Sequence, residues 1–230
     1  MKKLSITLIA LFAAVTFFSC KDESGVYAEQ LYTNGQKENA ILACLDACAD
    51  TALAHLCVTD GFYSYNDEAY RIDYAPLQNS LFDTLQNHGY GDLVDTLILR
   101  TNRLAESCGS PLNTALHAAI DSLTFSDYDA LVKGGNDAIT RYFELLEYRY
   151  LQSAFQTPVN IRMSLHGVNT IWNEMAQHYV QYTTAPLNFD IQNYIVDRML
   201  DDILEEMAVE EALIRTDSTH RSDAMELLGE

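Results

Sequence analysis

The sequence predicts an all-α fold, a single bundle of about seven to nine helices interrupted by one long aromatic-rich loop near residues 60–76. Three observations lead to it. Apolar residues recur at helical spacing through most of the chain. Outside the tyrosine-rich loop, no segment alternates apolar and polar residues over the length of a strand. The 230 residues include only 10 Gly and 4 Pro, roughly half of ordinary usage, so hairpin turns are scarce.

The first 20 residues are set apart from the bundle. Lys2 and Lys3 precede an uncharged run from Leu4 to Ser19, and a small residue stands directly before Cys20. The run is 16 residues long, short of the ~20 that span a bilayer. Residues 1–19 therefore read as a secretion signal, similar to that of bacterial lipoproteins, with Cys20 the expected site of acylation and first mature residue. Lys21, Asp22 and Glu23 resemble the signal that sends lipoproteins of the Bacteroidota outward. The expected location is the outer membrane, at the cell surface rather than the periplasmic face. Residues 20–36 are polar and form a tether of roughly 20 Å reach, ahead of a helical domain over 37–230.

Within that domain, Ile41, Leu45, Cys48, Ala52 and Leu56 mark one face of a first helix. The loop follows, with Phe62, Tyr63, Tyr65, Tyr70 and Tyr74 among acidic residues. A second helix is expected from Pro76, a residue favoured in the first turn, to Asn87, and a third begins at Asp92. Ser110 and Pro111 open a fourth. Thr124 is expected to cap a short helix that ends at Gly134-Gly135. The next helix should bury Ile139, Phe143, Leu146 and Tyr150. Pro158 is expected to start a long central helix, whose apolar positions run in heptad steps from Ile161 to Tyr182. The last long helix, over 190–216, should bury Ile195, Met199, Ile203 and Met207 and leave its acids solvated. A short helix is expected over 223–228, after a break at Asp217-Ser218-Thr219.

Several strings carry a family resemblance. They are Asp60-Gly61-Phe62 with Ile72 and Pro76 downstream, LTFSDYDALVKGGNDAITRYF from Leu123, and EEALIR from Glu210 with Arg221 following. These resemble an uncharacterised family of bacterial exported proteins, domain of unknown function 4197, from about residue 38 onward. The resemblance implies a helical, exported protein and supplies no catalytic residue. At Asp217 to His220 the chain departs from the family's Asn-Pro and small residues.

The candidate chemistry is sparse. With 14 basic and 33 acidic residues the net charge is −19, which repels phosphate backbones and excludes nucleic acid as a partner. No GxSxG, HExxH or Walker loop occurs. Cys44, Cys48, His55 and Cys57 lack a common zinc spacing, so no metal and no cofactor are expected. In an oxidising compartment Cys57 and Cys108 are the favoured disulfide pair, because Cys44 and Cys48 lie on one helix. The acids from Asp201 to Glu211 lack a calcium-loop pattern and read as a solvated face. Most arginines, including Arg100, Arg103, Arg198, Arg215 and Arg221, read as ties between helices, with an anionic-ligand clamp the alternative. The loop is the leading candidate for binding: Phe62, Tyr63, Tyr65, Tyr70 and Tyr74, with Arg100 and Arg103, would contact a glycan, peptide or protein. The alternative for the loop is a lid anchored by its tyrosines. The expected function is a non-enzymatic binding module; the alternative is an envelope enzyme with a carboxylate-based site in a helical cleft.

Overall fold

The helices form largely where the periodicity places them: α1 (Asn34–Leu56), α2 (Gly61–Ser64), α3 (Asp83–Asn87), α4 (Gly91–Glu106), α5 (Gly109–Ser122), α6 (Tyr128–Val132), α7 (Ala138–Leu165), α8 (Val168–Tyr182) and α9 (Ile191–Thr216). This computed structural model describes residues 32–66 and 68–229, and there is no strand among them. The expected signal peptide, Cys20 and most of the tether lie outside the described residues. The tether's last three positions belong to α1, which opens on a capping box between Thr33 and Gln36. A 3-10 turn at Ala75–Leu77 and a π turn at Gln78–Phe82 lead into α3, and 3-10 turns at Ser218–His220 and Asp223–Leu228 follow α9.

The centre of the bundle is α9, packed chiefly on α1 and α7. It buries Ile195, Val196, Met199, Leu200, Ile203, Leu204 and Met207. The heptad helix expected at the centre does not exist as one element. Pro158 lies inside α7, and Gly167, at φ +68°, ends that helix and begins α8. A proline costs about 3 kcal/mol in a helix interior, but α7 is held on both sides of it. Its buried residues Leu151, Phe155, Val159 and Met163 step by fours, a stripe that winds about 40° around the helix at each step. That winding is why Leu146, Tyr150, Ile161 and Leu165, expected inside, are exposed.

Along the other flank of α7 runs a polar ladder to α9. Arg141 donates to Glu205 at 2.8 Å, Tyr148 to Asp201 at 2.8 Å, Gln152 to Asp197 at 2.6 Å and Gln156 to Asn193 at 2.6 Å. The rungs descend α9 as they ascend α7, so the two helices are antiparallel.

One buried pair ties three elements together. Glu211 of α9, fully buried, accepts from the backbone N–H of Ile139 at 3.0 Å and of Thr140 at 2.7 Å. Those are free donors of the first turn of α7, whose own N-cap residue, Asp137, makes no side-chain cap bond. Arg215 donates to Glu211 at 2.8 Å and to the carbonyls of Val132 and Leu131 at 2.8 and 2.9 Å, at the end of α6. Asp127, rather than Thr124, caps α6, accepting from Ala130 N at 3.0 Å.

Elsewhere His117 of α5 bridges Asp46 and Asp50 of α1, at 2.9 and 3.1 Å. Burial disfavours its charged form, but hydrogen bonds to Asp50 and Asp46 outweigh burial and raise its pKa. The tie is therefore complete below the ordinary imidazole value and is lost as pH rises through the raised one. His117→Gln should destabilise the protein more at about pH 5.5 than at about pH 9 in thermal melts. Glu211→Ala leaves Arg215 buried without its partner and should cost about 3–5 kcal/mol, read as a fall of ten degrees or so in melting temperature.

Candidate functional site

Residues 60–76 form a strap that crosses from the end of α1 to the start of α3. Its backbone is strained: Asp60, Asn66, Glu68 and Tyr74 have φ of 67°, 51°, 67° and 57°, and they are the non-glycine residues with positive φ among the described ones. Each such residue costs of order 1 kcal/mol, so side chains must hold the strap down. Gly61 sits so close to the last turn of α1 that a Cβ would fall on the carbonyl oxygens of Leu56 and His55. Phe62 beside it is buried in the core. Asn102 of α4 acts like a neighbouring strand, accepting from Ile72 N at 3.0 Å and donating to Ile72 O at 3.1 Å. Tyr74 is fully buried; its hydroxyl lies 2.6 Å from Thr101 Oγ1 and its ring stacks on Tyr194 at 5.2 Å.

Beneath the strap lies a row of acids on α9, and here the solvated-face expectation, which holds for Asp201 and Glu205, fails. Asp202, Glu206 and Glu210 are buried because α9 is covered on the side where the strap and α1 meet it. Glu206 is the anchor. Tyr70 donates to its Oε2 at 2.5 Å, Tyr65 to its Oε1 at 3.2 Å, and His55 Nδ1 lies 2.6 Å from the same Oε1. Burial first, then the hydrogen bond to Glu206, raises the pKa of Tyr70, so its hydroxyl stays a donor. One turn on, His220 pairs with Glu210 at 2.9 Å, and that hydrogen bond raises the imidazole pKa. One turn back, Asp202 accepts from Arg198 at 2.8 Å through Oδ1, while its buried Oδ2 has no partner. Burial pushes this carboxyl up to about 7 against the opposing pull of Arg198, with Asp201 and Asp73 adding to the rise.

A carboxylate orienting a histidine is half of a general-base arrangement. At Glu206, however, the neighbouring hydroxyls are those of Tyr65 and Tyr70, both held as donors to the same carboxylate. The cluster is a lock for the strap. Phe62, Tyr70 and Tyr74 are thus buried core and anchor residues; Tyr65 is half-buried beside His55.

What the strap turns outward is Tyr63. Its partly exposed ring has the guanidinium carbons of Arg103 and Arg71 at 5.4 and 5.5 Å from its centroid. Arg103 also pairs with Asp60 at 2.6 Å and Glu106 at 2.7 Å. Arg100 stands apart from this patch, donating at 3.3 Å to the carbonyl of His166 between α7 and α8. The zinc set is likewise not assembled: no group of three or more His, Cys, Asp or Glu is gathered for a metal among the described residues, and His55 turns to Glu206. Cys44 and Cys48, expected to stay apart, have their sulfurs 3.9 Å from each other. The burial of Asp202, Glu206 and Glu210 and the stacking of Arg71 on Tyr63 were missed from sequence, because both depend on how the strap lies over its neighbours.

The family model described as protein of unknown function, DUF4197, matches residues 31–228. The chain belongs to this family. No curated protein and no solved structure matches it. The strings that carried the resemblance are now legible as contacts. The segment from Leu123 and the segment from Glu210 meet in the Glu211–Arg215 clamp, and Asp60-Gly61-Phe62 seats the strap on α1. In this DUF4197 member the distinctive strings build the fold. No helix among the described residues is long and apolar enough to cross a membrane.

Two outcomes follow from the acid row. Glu206→Gln removes an acceptor from buried donors and should cost about 2–3 kcal/mol, a drop of several degrees in melting temperature, whereas Tyr63→Ala at the surface should cost less than ~1 kcal/mol. The raised carboxyl of Asp202 opposes folding once the unfolded group has ionised, so its penalty grows from about pH 4 and is complete above pH 7. Asp202→Asn should therefore gain stability relative to the parent between about pH 5 and pH 8, measured by thermal melts across that range.

Proposed function

We propose that this DUF4197 protein is a non-enzymatic binding module, carried on the outer membrane by acylated Cys20, that meets a glycan, peptide or protein partner through the outward face of the strap. The observation that supports it most is a division of labour. The groups able to do chemistry, Glu206, His55 and Tyr70, are bonded to one another, while Tyr63 and its two arginines lie at the surface. Strained backbone is concentrated in the same segment, as it is at many recognition loops. An aromatic ring flanked by guanidinium groups and by the exposed carboxylate of Asp60 offers stacking, donors and acceptors within one patch, which suits a polar partner. The net charge of −19 leaves electrostatic adhesion to an anionic bilayer unfavourable, so the attachment is assigned to lipid on Cys20.

The contact is tested by immobilising the protein and passing envelope extract and a panel of glycans over it. A partner retained by the parent should bind Tyr63→Ala at least tenfold more weakly, a loss of about 1.4 kcal/mol or more, with an unchanged melting temperature. Equal retention by both would remove the strap from the account. Incorporation of labelled palmitate, abolished by Cys20→Ser, tests the anchor, and protease digestion of intact cells separates surface from periplasmic display.

A further inference from the structure

Four thiols lie among the described residues, and all four are free in the structure. They fall into two pairs with different prospects. Cys44 and Cys48 are one turn apart on α1 and completely buried. Side chains at that spacing have Cβ atoms about 5–6 Å apart, beyond the separation of roughly 3.5–4.5 Å that a disulfide requires, and helix geometry fixes it. Their 3.9 Å sulfur contact is a thiol–thiol hydrogen bond.

Cys57 and Cys108 are different because each stands at a helix end. Cys57 is the C-cap of α1 and Cys108 the N-cap residue of α5, so neither is locked in the middle of a regular helix. The two ends are pressed together. A Cβ placed on Gly109, the residue after Cys108, would lie 3.0 Å from Cys57 Cβ and 3.8 Å from its Sγ. A side chain at this position would crowd Cys57. Cys57 is partly exposed, whereas Cys108 is buried and donates to Leu104 O at 3.4 Å. Arg162 of α7 reaches the Cys108 thiol and favours its ionised form against burial.

We propose that Cys57 and Cys108 are a disulfide-forming pair, joined by exchange with a disulfide carrier, and that the bond closes the segment from the end of α1 to the start of α5 into a covalent loop around the strap. The partly exposed Cys57 takes the first step: as thiolate it attacks one sulfur of the carrier's disulfide, and the carrier's other sulfur leaves as a thiolate. Cys108, losing its proton beside Arg162, then attacks the Cys57 sulfur and expels the remaining carrier thiolate. Two protein thiols lose two protons and two electrons, and one carrier disulfide becomes two thiols. Burial, then the neighbouring Cys108 and Glu106, pushes the Cys57 thiol up to about 12, and Cys108 stands at about 11. Both are protonated at neutral pH, so the pair reacts slowly on its own and has the character of a lasting structural bond rather than a fast sensor.

The test uses purified full chain, reduced and then incubated with oxidised glutathione as the carrier. Digestion without reductant by chymotrypsin, which can cut after Leu53 and Leu56 between Cys48 and Cys57, is expected to give one cross-linked peptide containing Cys57 and Cys108, about 2 Da lighter than the sum of its parts, and none containing Cys44 or Cys48. The oxidised protein should melt about 10 °C above the reduced form. Cys57→Ser, a partly exposed site that tolerates the change, should remove both the cross-link and the shift. Alkylation of both thiols after oxidation, pairing of either with a different cysteine, or a bond that leaves the melting temperature unchanged overturns the proposal. The same mapping on protein isolated from cells bears on the envelope reading separately: a pair that closes with glutathione and is found reduced in cells counts against export and leaves the pairing intact.

Discussion

The architecture depends on one buried carboxylate. Glu211 supplies the cap that α7 lacks, and through Arg215 it also holds the end of α6, so a single side chain on α9 fixes the start of the longest helix in the bundle. Such a group is costly to bury alone, and what makes it stable is the full set of partners: two backbone N–H donors and a guanidinium that itself reaches two carbonyls. The adjacent positions on α9 repeat the theme with different partners, imidazole and phenol at Glu206, imidazole at Glu210, guanidinium at Asp202. A helix that reads as half oil and half acid is in fact the axis of the bundle, with Asp202, Glu206, Glu210 and Glu211 turned into interior fastenings and Asp201 and Glu205 left outside.

Much of the fold was legible because helical periodicity is a local signal. The faces of α1 and α9, the breaks at Gly109 and at Gly134-Gly135, and the closing turn at Asp223 all follow from residues a few positions apart. What local patterns could not reveal was which neighbour each face would meet. Leu146 and Tyr150 complete a plausible stripe, but the buried positions of α7 step by fours and the stripe winds away from them. Pro158 looks like a helix start because prolines favour first turns; α7 continues through it because packing on both sides outweighs one lost bond. The burial of Glu206 and Glu211 was invisible for the same reason, since a carboxylate's burial is decided by donors far along the chain.

The strap illustrates how a conspicuous segment divides its roles. Tyrosines concentrated in a loop suggest a binding surface, and the buried members of the cluster instead hold a strained backbone against α4 and α9. Once Phe62, Tyr70 and Tyr74 are assigned to that task, a much smaller patch around Tyr63 is left facing outward. The family strings divide in the same way, lying at the junctions where elements are fastened, so family membership in DUF4197 records a way of folding before it records any activity.

The cap on α7 comes from a residue 72 positions downstream of the amide it serves. A ribosome releases this chain from its amino end, so the longest helix waits for almost the whole polypeptide before its first turn can be completed. Until α9 emerges, the nascent protein has neither the cap on its longest helix nor the axis on which α1 and α7 pack, so its core closes late and all at once.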